Sequence, residues 1–215
     1  MERGGPVSPL PSKAQESIAT DKGLAMKRLI LVCGPNGVGK TTACQSLLEA
    51  LARSAYIDSD WCRMMDPFAF DAETTEIVRA NIAALMTNYF QSSAIENVIY
   101  SYGFHGPRQR IFQGVRHDLD VSGVSYQFCP ILLECSLQEQ RRRLVASGRD
   151  SARIERAVRN TRHIYSACAY PAVDTTDLSV SQTVERILSV LAECYDDQHS
   201  AVLSENGPAE GTGRS

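Results

Sequence analysis

RLILVCGPNGVGKTTACQSLLEALAR (28–53) decides the fold. RLILVC (28–33) is a short apolar run, the pattern of a strand buried on both faces. GPNGVGKT (34–41) follows it and satisfies G-x-x-x-x-G-K-[ST]. A helix beginning near Lys40 and running to about Arg53 carries Leu47, Leu48 and Leu51 at helical spacing. In this strand–loop–helix setting the glycines let successive backbone N–H groups turn inward as an anion nest, and the helix adds its positive end. Residues Gly34, Pro35, Asn36, Gly37, Val38, Gly39, Lys40, Thr41 and Thr42 therefore read as a cradle for the triphosphate of ATP or a close relative. Lys40 reaches the β and γ phosphates, and the Thr41 hydroxyl is a ligand for Mg²⁺.

Outward from this loop, apolar runs alternate with amphipathic segments. The strands expected after RLILVC are AYI (55–57), NVIYSY (97–102), YQFCPILLEC (126–135), with an irregular start at Pro130, and AVDTT (172–176). Between them fall helices over 73–91, from Pro107 to about Leu119, after Ser136 with Glu139 as a capping box, over 151–166, and from Ser179 to about Cys194. Five strand–helix alternations predict a parallel sheet covered on both faces, with its functional crevice at the carboxyl ends of the strands. Residues 1–25 and 199–215 are Pro, Gly and Ser rich without a hydrophobic period and are expected to be disordered tails around a domain at 26–198.

Composition narrows the function. Among 215 residues a net charge of −3 gives no general attraction for a polyanion, so nucleic acid is not the expected partner. Seven cysteines (33, 44, 62, 129, 135, 168, 194) contain no CxxC pair and suit reduced thiols in a cytoplasmic protein better than disulfides or a zinc site. The first residues lack a signal-peptide core, and no apolar stretch is long enough for a membrane span. Lysine occurs only at 13, 22, 27 and 40, so none follows Lys40.

Three clues bear on the reaction. IDSDW (57–61) places Asp58 and Asp60 at the end of the second strand, pointing the same way if the strand continues that far. One carboxylate then serves Mg²⁺ and the other accepts the proton of an acceptor hydroxyl; solvated loop acids are the plain alternative. Residues 137–162 hold eight arginines against three acids, with Arg149, Arg153 and Arg156 on one helical stripe. Most suit a solvated face, but one to three would suffice to clamp a transferring phosphoryl group. Finally, there is no N-K-x-D, and DVSG (120–123) follows no strand, which disfavours a GTPase. YSYGFHG (100–106) stands where many ATPases carry an acidic pair.

These motifs together resemble the small P-loop kinases and phosphotransferases that act on alcohols, such as shikimate and gluconate kinases, chloramphenicol phosphotransferase, polynucleotide 5′-kinase and zeta-type toxins. The likeness covers roughly residues 27–195 and rests on the P-loop, DSD (58–60), RLVASGRD (143–150) and VDTTDLSV (173–180). IDSDWCRMMDPF with YGFHGPR is also similar to uncharacterised bacterial kinase-like ATPases. The resemblance implies a three-layer α/β P-loop fold with strand order 2-3-1-4-5 and a helical lid near 137–162. It implies Asp60 as acceptor-side base, Asp58 as support for Mg²⁺, Arg143 and Arg149 as lid arginines, and 173–180 as the border of adenine. His105 and Arg108 in YGFHGPR are candidates for a polar or anionic group of the acceptor. Trp61, Met64, Met65, Phe68 and Phe70 either pack or wall an apolar pocket. The leading expectation is Mg·ATP-dependent phosphoryl transfer to a small-molecule hydroxyl. The alternatives are an ATP-dependent regulatory switch that binds a protein partner, and a kinase of nucleic-acid ends.

Overall fold

The computed structural model describes residues 26–205. Five parallel strands, β1 (Arg28–Cys33), β2 (Ser54–Asp58), β3 (Asn97–Tyr102), β4 (Gln127–Glu134) and β5 (Ala172–Asp174), form one sheet in the order β2-β3-β1-β4-β5. The expected order therefore holds. The helices are α1 (Lys40–Ala50), α2 (Ala72–Gln91), α3 (Arg108–Val121), α4 (Leu137–Ala146), α5 (Ser151–Thr161) and α6 (Val180–Glu205).

Strand periodicity divides the core into two layers. Leu29, Leu31 and Cys33 of β1 face Val78, Ile82 and Met86 of α2 and Val115 and Leu119 of α3. Ile30 and Val32 face the other way, onto Ala43 and Leu47 of α1 and Val184, Ile187 and Leu191 of α6. All five residues from Leu29 to Cys33 are fully buried, and each large aliphatic one contributes about 1.5–3 kcal/mol of hydrophobic stabilisation. A third small cluster, Leu144, Ile154 and Ala157, joins α4 to α5 as a lid over the crevice.

Three expectations need correction. Pro130 sits within a regular strand, opposite Leu31 of β1. The Leu132 N–H donates to the Pro171 carbonyl on the β5 side, so by the two-residue period the donor missing at Pro130 faces that side too. There β5 has not yet begun, since its pairing starts at Leu132, and no ladder bond is lost. The helix expected over 151–166 stops at Thr161 and passes into a 3₁₀ turn at His163–Tyr165. Thr161 is buried with its hydroxyl tied to the P-loop, and Arg162 is held by the Cys135 carbonyl and Gln140. The last helix continues past Cys194 to Glu205, because the first helix breakers are Gly207 and Pro208. That helix takes in 199–205 of the tail expected at 199–215, while the arm expected at 1–25 and the remainder, 206–215, lie outside the described residues.

Candidate active site

The glycines shape the loop after β1. Gly34, Gly37 and Gly39 take φ of +144°, +88° and +99°, conformations that L side chains rarely adopt. Gly39 caps α1 without a side-chain hydrogen bond, and the first turn holds no acidic residue. The first-turn amides of α1 are thus left to an anion. Lys40 Nζ donates to the carbonyls of Gly34 and Pro35, each at 2.9 Å. Burial pushes its ammonium down to about 8.

The lid clamps the loop from behind. The Asn36 carbonyl accepts from Gln140 of α4 at 2.6 Å, and the Asn36 N–H donates to the Thr161 hydroxyl at 3.2 Å. Arg143 donates to the Val38 carbonyl at 2.9 Å, to the Thr175 hydroxyl at 2.8 Å and carbonyl at 2.6 Å, and to Glu139 at 2.6 Å. Four of its five N–H donors are therefore spent inside the protein. Arg143 acts here as a bracket between the P-loop, α4 and the segment after β5. Arg143→Ala is expected to cost about 2–3 kcal/mol in urea unfolding and to weaken binding of a non-hydrolysable ATP analogue. Arg143→Lys should recover little, because an ammonium cannot span Val38 and Thr175 as a planar fork does.

A cleft of about 420 Å³ opens over the carboxyl ends of β1, β2 and β3. It brings together Asn36, Gly37, Gly39, Lys40, Thr41 and Thr42 with Asp58, Asp60, Arg108, Arg143 and Arg149. Gly34, Pro35 and Val38 are absent from its walls; they set the loop's shape. Beyond Gly39 and Arg143 lies a second cavity of about 460 Å³, walled by Thr175, Thr176, Asp177, Leu178 and Ser179. This is the stretch whose resemblance marked it as the border of the base.

The two aspartates share the cleft, though not by strand alternation. β2 ends at Asp58, and Asp60 is helical in φ and ψ at the start of a 3₁₀ turn over Trp61–Arg63. The Asp60 N–H folds back onto Asp58 Oδ1 at 2.9 Å, and the Tyr56 hydroxyl donates to Oδ2 at 3.0 Å. A carboxylate offers about four lone-pair sites, so Asp58, although buried, keeps acceptor capacity toward the cleft. Asp60 is exposed, paired with Arg63 at 2.6 Å and facing Arg108 at 3.9 Å. Both contacts fall on Oδ1, which leaves Oδ2 to meet an incoming group.

The YGFHGPR turn leads from β3 into α3, and Arg108 joins the cleft wall. His105 lines an adjoining cavity with Asn36, Arg149, Arg153 and Arg156. Burial first, then the charges of Arg108, Lys40 and Arg63, push its imidazole down to about 4, so it is neutral near pH 7. Of the lid arginines, Arg141 pairs with Glu155, Arg142 with Glu139 and Arg153 with Asp150. Arg149 and Arg156 form no hydrogen bond or ion pair among the described residues and face the cavities. Trp61, Met64 and Phe70 are exposed, while Met65 and Phe68 pack on the core, and none of the five walls the main cleft. Arg63 was not singled out from sequence; its spacing of three from Asp60 was the available signal. Gln140 and Thr161 gave none, and Thr175 was marked only as part of 173–180.

The sheet order and the glycine loop that joins β1 to α1 define a P-loop α/β domain. The profile of the AAA domain family matches residues 30–163, more than half of the chain, and the protein belongs to that family. Its fold is similar to a gluconokinase from Sinorhizobium meliloti 1021, at 16% identity and a TM-score of 0.56, covering 83% of this chain and 98% of that one. It is also similar to the Deinococcus radiodurans tunicamycin resistance protein, at 18% identity and a TM-score of 0.55, covering 77% and 95% respectively. The Mycobacterium tuberculosis APS kinase CysC, solved with AMPPNP and APS, aligns at 12% identity with a TM-score of 0.53, covering 78% and 98%. No curated protein sequence matches the chain. Among the described residues no helix is long and apolar enough to cross a membrane.

Proposed function

We propose that this protein is an ATP-dependent phosphotransferase that moves the γ-phosphate of Mg·ATP to a hydroxyl of a small molecule. The observation that carries the reading is one cleft holding Lys40, the α1 amides and Thr41 on one side and the exposed carboxylate of Asp60 on the other. A purely nucleotide-binding surface would not need that second side. Kinases among the similar folds support the reading.

Gly37, Gly39, Lys40 and Thr42 bind the phosphate chain, and the second cavity takes the base. Mg²⁺, when bound, neutralises charge on the β and γ phosphates. The oxygens suited to it are the Thr41 hydroxyl and the Asp58 carboxylate. Among the described residues no group of three or more His, Cys, Asp or Glu side chains gathers at a point. Such a sparse oxygen set fits a metal that keeps waters and phosphate ligands. Asp60 orients the acceptor hydroxyl and takes its proton as the new O–P bond forms. The bond from the γ phosphorus to the β–γ bridging oxygen breaks, and ADP leaves. Lys40 and Arg149 hold the charge that builds on the transferred group.

With Mg·ATP and a panel of hydroxyl-bearing metabolites, nucleosides and antibiotics, acceptor-dependent ATP consumption should appear with a phosphorylated product. Asp60→Asn should lower it about 10²–10⁴-fold without weakening binding of a non-hydrolysable ATP analogue. Turnover that survives Asp60→Asn yet is lost in Lys40→Ala would remove Asp60 from the base position. Tight ATP binding without any acceptor-stimulated turnover would favour a nucleotide-dependent switch.

A further inference from the structure

Arg108 stands beside Asp60 in the cleft as a cation whose only ion pair among the described residues is long and shared. Its side chain is 9% exposed, and its carboxylate neighbour, Asp60, is 3.9 Å away and already paired with Arg63 at 2.6 Å. Among the described residues its guanidinium makes no hydrogen bond, and the ring of Phe70 lies over it at 6.0 Å. Removing a charge from water without a close partner is strongly unfavourable, and a single carboxylate at that distance, itself exposed, offsets little of it. The position is nonetheless firmly built. The Tyr102 hydroxyl, from the end of β3, donates to the Arg108 carbonyl at 2.9 Å. Arg108 also opens α3, whose positive end adds to the local field. Gly103 lines the cleft next to it; a Cβ there would crowd His105 Nδ1 at 3.3 Å while making only ordinary contact with Arg108 Nη1 at 4.0 Å.

We infer that the pocket formed by Arg108, Gly103 and Asp60 is an oxyanion subsite, and that the hydroxyl acceptor carries a carboxylate or phosphate group which Arg108 binds. This deepens the proposed function and rests on it for the identity of the acceptor. An oxyanion at Arg108 has a second possible source, the γ-phosphate of the nucleotide. Arg108 follows β3 beside Asp60, whereas Lys40 and the loop amides follow β1. Both line one cleft, so filling the nucleotide site is what separates the two sources.

The test is thermal unfolding of the full chain with saturating Mg·AMPPNP while inorganic phosphate is titrated. Wild type should gain further stability with phosphate although the nucleotide site is filled. Arg108→Met should respond at least about tenfold more weakly, yet keep its stabilisation by Mg·AMPPNP. Without ligands Arg108→Met should melt no lower than wild type, since a buried cation with only a long ion pair has been replaced by an apolar chain of similar length. Arg108→Lys, which keeps the charge, should retain part of the phosphate response. The subsite is overturned if Mg·AMPPNP abolishes the phosphate response of wild type, or if Arg108→Met responds like wild type. Neither readout needs turnover, so a phosphate response without any phosphorylated product would sink the kinase reading alone. Efficient turnover of uncharged alcohols, unchanged in Arg108→Met, would sink the subsite alone.

Discussion

Lys40→Ala is expected to lower nucleotide-dependent turnover by about 10²–10³-fold while the sheet and both cores stay intact. Lys40 is the cation built into the loop itself, with its ammonium resting on the carbonyls of Gly34 and Pro35. Its methylenes belong to neither hydrophobic core, so the loss falls on phosphate binding. The depressed pKa gives a second, independent readout. Burial lowers the ammonium from its ordinary 10.5 to about 8, and negative phosphates pull it back up. Above pH 8 the free protein has lost part of this charge, so binding of Mg·AMPPNP must take up a proton. Affinity should fall as pH rises from about 8 toward 10.5, by at most about tenfold per pH unit. The unfolded chain holds the extra proton across that same window, so this group's contribution to folding stability increases with pH there. Calorimetric titration with Mg·AMPPNP at pH 9, in two buffers of different ionisation enthalpy, measures the uptake. Wild type should show it and Lys40→Ala should not. Full turnover in Lys40→Ala would remove the residue from the phosphate site.

What could be read from the chain depended on how local the cause was. NVIYSY is buried along its whole length and RLILVC from Leu29 onward, and both strands begin and end where the sequence runs do. The P-loop is legible because one contiguous segment supplies the strand, the glycines, the lysine and the helix start. Asp58 and Asp60 were found as a pair, but by the wrong geometry. Their meeting depends on a turn in which a side-chain oxygen of the first accepts the amide of the second, and alternation along a strand does not describe that. Pro130 was misread for a related reason, since its cost depends on where a strand some forty residues later begins.

The lid shows the limit most clearly. Arginine density near 137–162 is visible in the sequence, but the fate of each guanidinium is set by distant partners. Arg143 was expected at the transferring phosphate and is largely consumed by Val38 and Thr175. Arg149 carried the same expectation and remains available at the cleft. The end of α5 is likewise fixed by Thr161 reaching Asn36, 125 residues away in the chain. Helical periodicity holds no information about such a contact.

Gly34→Ala is expected to be the most damaging single-methyl change in the loop. With φ at +144°, Gly34 is in backbone territory unfavourable to alanine, and an added Cβ would lie 2.2 Å from the Leu133 carbonyl oxygen. That oxygen belongs to β4, which is held between β1 and β5, so relief requires parting strands rather than rotating a side chain. The other glycines calibrate the effect. At Gly37 the new methyl would meet the Leu144 side chain at 2.7 Å, which the lid can partly yield. At Gly106, with φ of +62°, nothing lies within 4 Å, so only backbone strain remains. We expect a loss of about 3 kcal/mol for Gly34→Ala and about 1 kcal/mol for Gly106→Ala. For a domain of this size that means a fall in Tm of roughly 6–12 °C against 2–4 °C. Because the Gly34 carbonyl also seats Lys40, the displaced backbone should carry the ammonium with it. Gly34→Ala should therefore lose most of its affinity for Mg·AMPPNP even at temperatures where it remains folded. A Gly34→Ala protein that melts with wild type and binds the nucleotide normally would show that the loop has slack toward β4, and that its shape is set by the lid contacts at Asn36 and Val38 instead.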